Sequence, residues 1–125
     1  MNFAKLFLRA SLLASLLALP LQVLAHTGLK TSAPADGAVL QAAPASIDLE
    51  FTAAVRLIKL EVSSGGNALE TAFKPAAELT AKYSIPTPGL AAGAYTVDWA
   101  VIGADGHTVT NSFSFSVAPS VATSQ

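Results

Sequence analysis

The sequence contains no cysteine, and its one methionine is Met1. Without cysteine the chain forms neither a disulfide framework nor a thiolate metal site. Met1 belongs to a segment that we expect to be removed, so the remaining chain is predicted to contain no sulfur ligand at all. A site for a soft metal ion that prefers sulfur is therefore not expected.

Several motifs of catalytic and nucleotide-binding proteins are also missing. No serine stands in a G-x-S-x-G turn, and the H-E-x-x-H, P-loop and dinucleotide glycine motifs are absent. The only histidines are His26 and His107. Few enzymatic mechanisms remain with two histidines and no cysteine, so we do not expect an enzyme.

Positive charge is scarce after residue 25. Residues 26–125 carry five lysine or arginine side chains against eight carboxylates, a net side-chain charge of −3. Nucleic acids are bound through clustered lysine and arginine. This balance argues against a nucleic-acid partner.

Long apolar runs are absent as well, and the run at residues 10–19 falls short of the roughly 20 apolar residues that a spanning helix needs. It follows Lys5 and Arg9 and precedes a small-residue pattern ending at Ala25, as in a secretory signal peptide. We predict that residues 1–25 are removed between Ala25 and His26, and that the mature protein is exported without spanning the membrane. An uncleaved anchor is the alternative.

The rest of the chain alternates apolar and polar residues with a period of two, which is typical of strands with one buried face. The parity of the alternation changes near Leu57 and Ile58, which predicts a β-bulge or a change of strand partner there. Residues 68–73 are a candidate for a further strand, and we expect irregular structure or one turn over residues 70–79 and a short strand at Tyr83 and Ile85. The clearest inward-facing series are Ile47, Leu49 and Phe51; Tyr95, Val97, Trp99 and Val101; and Phe113, Phe115 and Val117.

Glycine and proline turns separate about seven such segments. We therefore predict an all-β domain over residues 26–118, built as a Greek-key β-sandwich or barrel. Residues 119–125 lack periodicity and are predicted to form a flexible tail.

Two stretches stand out for metal chemistry. A histidine at the first position of a chain can bind one ion through both its α-amine and its ring Nδ1, and His26 would be such a residue after cleavage. Asp105-Gly106-His107 offers a carboxylate and an imidazole two positions apart. Taken alone, the triplet is explained more simply by a plain turn, capped by Asp105 and with a solvated His107.

A β-sandwich can bring an N-terminal strand beside a connection between later strands. The combined site would offer the His26 amine and Nδ1, a nitrogen of His107 and an oxygen of Asp105. Three nitrogens and one carboxylate suit Cu(II), and the affinity order of the divalent metals favours copper over zinc. We predict one Cu(II) ion per chain at His26, Asp105 and His107.

These residues, together with the stretches at 32–37, 47–51, 92–99 and 113–117, resemble the CopC family of periplasmic copper-binding proteins. The resemblance covers essentially the whole mature chain. It implies a cupredoxin-like or immunoglobulin-like β-barrel or sandwich that binds Cu(II) through His26, Asp105 and His107. It also implies a role in copper resistance or uptake, often beside a CopD-like inner-membrane protein.

The sequence departs from the family pattern in three places. A methionine-rich Cu(I) loop is absent between Val62 and Tyr83, so the chain resembles a Cu(II)-only member. Asn111 replaces a common glycine, although asparagine tolerates a left-handed backbone. An acidic residue that some members carry after the strand ending at Phe51 has no counterpart at residues 52–54.

Two other functions fit parts of the sequence. A copper enzyme is one, because an N-terminal histidine chelate is also the metal site of lytic polysaccharide monooxygenases. Catalytic metals keep a position open for substrate, however, and Asp105 would fill it here. A metal-free, immunoglobulin-like domain for adhesion or as an accessory to a membrane complex is the other, and it leaves only the coincidence of His26 with His107 unexplained.

Overall fold

The computed structural model describes residues 28–119, which form seven β-strands and no helix. The predicted signal peptide, His26 and residues 120–125 of the predicted tail lie outside this range. Within it, no helix is long and apolar enough to cross a membrane. The all-β prediction is confirmed. The strands are β1 Leu29–Ala33, β2 Ala38–Leu40, β3 Ser46–Ser64, β4 Asn67–Leu69, β5 Thr80–Pro86, β6 Gly93–Gly103 and β7 Thr108–Val117.

The sheet is organised around β3, which is 19 residues long. Its first half pairs antiparallel with β1 and β5, and its second half pairs antiparallel with β6 and β4. The alternation of its sequence buries one face along both halves. The residues buried on that face are Ile47, Leu49, Phe51, Val55, Leu57, Leu60 and Val62.

A bulge in β3 accounts for the parity change seen in the sequence. Leu57 pairs with Val101 of β6, but Lys59 pairs with the next residue, Ala100, so Ile58 is the extra residue. The bulge lets Leu57 and Leu60 both face the core although they are three positions apart. Of the two predicted explanations for the parity change, the bulge is the one found at this position, and the change from β1 to β6 lies earlier, between Phe51 and Val55.

The buried side chains of β3, β5, β6 and β7 form a single cluster, so the sheet curls around one core. Trp99 lies in this cluster and is 3% exposed. The Phe51 ring meets Trp99 and Tyr83 edge to face, with centroid distances of 5.3 and 6.2 Å. Each large apolar side chain buried in this way contributes about 1.5–3 kcal/mol of transfer free energy.

The order of strands brings two chain segments together on one edge of β3. Asp48 pairs with Ser84 of β5 on one side and with β1 on the other, and Val55 pairs with Thr80 of β5 and with Gly103 of β6. Strand β5 therefore follows one edge of β3, and β1 and β6 follow each other along the opposite edge. β1 and β6 are each antiparallel to β3. Along this edge the first residues of β1 are therefore the ones nearest to the last residues of β6.

β1 and β2 are consecutive in the chain but lie at opposite ends of the strand order β1-β3-β6-β7-β2. β2 runs parallel to β7, with Ala38 opposite Phe115. The turn before β2 is also tied to β7, since Gly37 N–H donates to Ser114 O at 2.7 Å and Ser114 N–H donates to Asp36 Oδ1 at 3.0 Å. Such a crossing between sheet edges is typical of Greek-key sandwiches and barrels.

The segment between β4 and β5 differs from the prediction at one end. β4 covers only Asn67–Leu69, so the strand expected within residues 68–73 begins one residue earlier and ends sooner. The glycine turn at residues 65–66 sets its register, and its ladder with β3 ends at the pair of Val62 and Leu69. Residues 70–79 are irregular, as predicted, and the expected strand at Tyr83 and Ile85 is β5.

Candidate metal centre

Asp105 and His107 lie in the tight turn between β6 and β7. Gly103 N–H donates to His107 O, and Gly106 N–H donates to Gly103 O, each at 3.0 Å. Gly106 has a φ of +86°, a left-handed conformation that glycine adopts without the steric cost of a Cβ atom. The backbone of the turn therefore depends on the glycine between the two candidate ligands.

The Asp105 carboxylate contacts His107 twice. His107 N–H donates to Oδ1 at 3.0 Å, and the His107 ring Nδ1 lies 2.8 Å from Oδ2. Both side chains are exposed, Asp105 by 65% and His107 by 85%. The predicted juxtaposition of carboxylate and imidazole is thus present, and so is the turn-capping role that the alternative interpretation gave to Asp105.

These contacts hold the pKa of the Asp105 carboxyl below its ordinary value of 3.8. The backbone N–H of His107 is the main cause, followed by the hydrogen bond to its ring and by the ring's charge. The carboxylate is therefore ionised at any pH at which an imidazole is neutral enough to bind a metal.

The pair offers chemistry that suits a metal ion. With Nδ1 bonded to Asp105, the Nε2 atom is the ring nitrogen available as a ligand, and a carboxylate that orients such a ring is common around metal sites. Each carboxylate oxygen also keeps a second lone pair for an ion. Two exposed groups do not make a site alone, and residues 28–119 contain no cluster of three or more His, Asp or Glu able to hold a metal.

The beginning of the described chain runs toward this turn. Gly28 lies opposite Thr52, and Gly103 lies opposite Val55 on the same edge of β3. Three residues of strand separate these points, about 10 Å at the usual rise. The two residues from Gly28 back to His26 can span about 7 Å. His26 itself lies outside the described residues.

Two side chains that support this region were not identified from the sequence. Tyr83 Oη donates to Val55 O at 2.6 Å and accepts from Leu57 N–H at 3.2 Å. Thr52 is bonded to Gly28 through both its side chain and its backbone. A tyrosine at an inward-facing strand position needs a hydrogen-bond partner for its hydroxyl. That requirement is the only feature of the sequence that indicates a structural role for Tyr83.

A well-defined surface cleft lies elsewhere on the described part of the chain. It measures about 560 Å³, crosses β1, β3 and β5, and has Asp48, Glu50 and Lys82 among its lining residues. Neither Asp105 nor His107 lines it. The candidate centre is therefore an open turn at one end of the sheet and not a cavity.

A protein-family model and two similar proteins indicate the same family. Residues 29–118 match the model of the CopC domain. Copper resistance protein C of Escherichia coli is 34% identical, over 75% of this chain and 82% of the relative. Copper resistance protein C of Pseudomonas syringae pv. tomato is 32% identical, over 74% of this chain and 81% of the relative.

Solved structures agree in fold. The crystal structure of CopC from Methylosinus trichosporium OB3b has a TM-score of 0.66 at 23% identity, and the match covers 78% of this chain and 98% of that one. PcoC, a methionine-rich copper resistance protein from Escherichia coli, has a TM-score of 0.60 at 29% identity, with coverages of 74% and 99%. The sheet described above is therefore of the CopC type.

Proposed function

Because the chain belongs to the CopC family, we propose that it is a periplasmic Cu(II)-binding protein that carries or buffers copper in copper resistance or uptake. The family membership supports copper binding and copper resistance in general. The oxidation state, the ligands and the carrier role are our proposal. One observation carries it: β1 begins and β6 ends on the same edge of β3, and the Asp105–His107 pair lies in the turn that follows β6.

We propose His26, Asp105 and His107 as the ligands of one copper ion. Cleavage after Ala25 would give His26 a free amine, so that this residue supplies two nitrogens. His107 supplies a third through its ring, and Asp105 supplies an oxygen. Nitrogen and carboxylate donors without sulfur suit Cu(II), and the sequence after Met1 contains neither cysteine nor methionine.

The same ligand set argues against catalysis. Four protein donors around Cu(II) fill the positions that a copper enzyme keeps open for its substrate. The copper is then cargo that the protein takes up and releases. Release to a CopD-like protein of the inner membrane would place this chain in uptake, and retention would make it a buffer.

The test compares two forms of the protein by Cu(II) titration. One form begins at His26 and the other carries one additional, N-acetylated alanine before it, so that the extension offers no free amine of its own. The extension removes the amine from His26 and leaves Asp105 and His107 intact, so we expect a loss of affinity of at least about tenfold. Electron paramagnetic resonance of the His26 form should show a tetragonal Cu(II) signal that is lost in His107→Ala. Equal affinities of the two forms would refute the chelate.

A further inference from the structure

Thr52 is the residue that connects the first described residue to the sheet. Gly28 N–H donates to Thr52 Oγ1 at 3.0 Å, and Thr52 N–H donates to Gly28 O at 2.9 Å. In a regular antiparallel pair the backbone carbonyl would accept the first of these bonds. Here the side chain of Thr52 accepts it, so one residue holds both polar backbone groups of Gly28.

Gly28 would otherwise be a point of free rotation. Glycine has the widest choice of backbone conformations, and ordering it costs more entropy than ordering any other residue. It also stands two positions after His26. A chelating residue beyond an unrestrained glycine would have to be ordered when the metal binds, and that cost would weaken the affinity.

The anchored segment is also directed toward the proposed ligands. β1 pairs with β3 in the register Leu29 opposite Phe51, and Gly28 continues it opposite Thr52. The next positions along β3 are Ala53 and Ala54, which are small and exposed, and then Val55, where β6 ends. The chain before Gly28 thus starts from a fixed point on the edge that leads to the Asp105–His107 turn.

We propose that Thr52 is a positioning residue for the copper site: by holding Gly28 through its hydroxyl it pre-organises the N-terminal histidine for the metal. This inference rests on the proposed function, since it assigns Thr52 a role in the chelate at His26. Thr52 is not a ligand in this proposal. It acts through Gly28.

The experiment uses four proteins that all begin at His26: the unchanged chain, Thr52→Val, Thr52→Ser and Thr110→Val. Valine keeps the branched shape and strand preference of threonine but has no acceptor, whereas serine keeps the acceptor. Thr110 is an exposed threonine on β7 and serves as the matched control. We expect a Cu(II) Kd about fivefold higher for Thr52→Val, the effect of one ordinary hydrogen bond, and unchanged values for the other two variants.

Two further measurements separate positioning from general destabilisation. In metal-free protein, the Gly28 amide should exchange with solvent faster in Thr52→Val than in Thr52→Ser, while amides of the β6–β7 ladder keep their protection. With the N-acetylated alanine added before His26, Thr52→Val should have no further effect on copper affinity, because the chelate is already lost. If Thr52→Val proved unfolded, Thr52→Ala would take its place in both measurements.

The outcomes are distinguishable. If the alanine extension weakens copper binding but Thr52→Val binds as tightly as the unchanged chain, the role of Thr52 is refuted and the copper site stands. An effect of Thr52→Val that persists at equal size in the extended protein also refutes it, because Thr52 would then act elsewhere. If the extension itself has no effect, the proposed function and the role of Thr52 are both refuted.

Discussion

Replacing Tyr83 by phenylalanine removes one oxygen atom from the place where β3 changes partners. That oxygen donates a hydrogen bond to Val55 O at 2.6 Å and accepts one from Leu57 N–H at 3.2 Å. A bulged strand cannot satisfy all of its backbone groups through the ladder, and here a side chain supplies the bonds. The phenylalanine ring can keep the edge-to-face contact with Phe51.

The expected cost follows from those two bonds. Each contributes about 0.5–1.5 kcal/mol net, so Tyr83→Phe should lower the free energy of unfolding by about 1–3 kcal/mol. For a domain of this size such a loss lowers the melting temperature by roughly 4–8 °C for each kcal/mol. Urea denaturation followed by the fluorescence of Trp99, the only tryptophan, measures the change. The midpoint should fall while the slope stays constant.

Tyr95→Phe is the matched control. Tyr95 is also buried on a strand, but its hydroxyl makes one bond, to Ala91 O at 2.5 Å. It should therefore cost about 0.5–1.5 kcal/mol, half as much as Tyr83→Phe. A cost for Tyr83→Phe that is no greater than that of Tyr95→Phe would show that the bulge does not depend on the hydroxyl.

Three further results are expected. The Asp105 carboxyl should titrate below 3.8 in carbon-detected NMR, and in His107→Ala its pKa should rise only part of the way, because the backbone N–H that is the main cause remains. Because the pKa of Asp105 is lower in the folded than in the unfolded protein, the stability linked to its ionisation is present at neutral pH and is lost as the pH falls through the folded-state pKa. A full return of the pKa to 3.8 in His107→Ala would contradict the backbone N–H as the main cause. Gly106→Ala should cost about 1–2 kcal/mol in urea denaturation through its left-handed φ alone, since nothing lies within 4 Å of the added Cβ, and Gly89→Ala, equally open but without a left-handed φ, should cost less. Copper affinity should fall between about pH 8 and about pH 5 in competition titrations, because amine and imidazole must lose protons to bind; an affinity independent of pH would exclude these ligands.

The sequence predicts the interior of this fold well because burial imposes a period of two on it. The series at Ile47, Tyr95 and Phe113 became β3, β6 and β7, and the parity change at Leu57 located the bulge. β1 and β2 gave no such signal. They are short strands at the ends of the strand order, and none of their residues is fully buried. Burial therefore imposes no alternation of apolar and polar residues on their sequences.

The contacts of the candidate site also differ in how far the sequence predicts them. The spacing of Asp105 and His107 predicted their contact because two residues on one turn meet locally. The bonds of Gly28 to Thr52 and of Tyr83 to β3 join residues more than twenty positions apart, so they depend on strand register, which local patterns do not specify. The part of the site at His26 stays a prediction.

The parallel pairing of β2 with β7 has a consequence for the kinetics of folding. Ala38 and Phe115 are neighbours in the sheet although most of the described chain separates them. Contacts between such distant positions form slowly, because a large loop must close before they contribute any free energy. The sheet can be completed only after the last strand has been synthesised. For a protein that we propose is exported, this delay would favour threading of a still unfolded chain across the membrane.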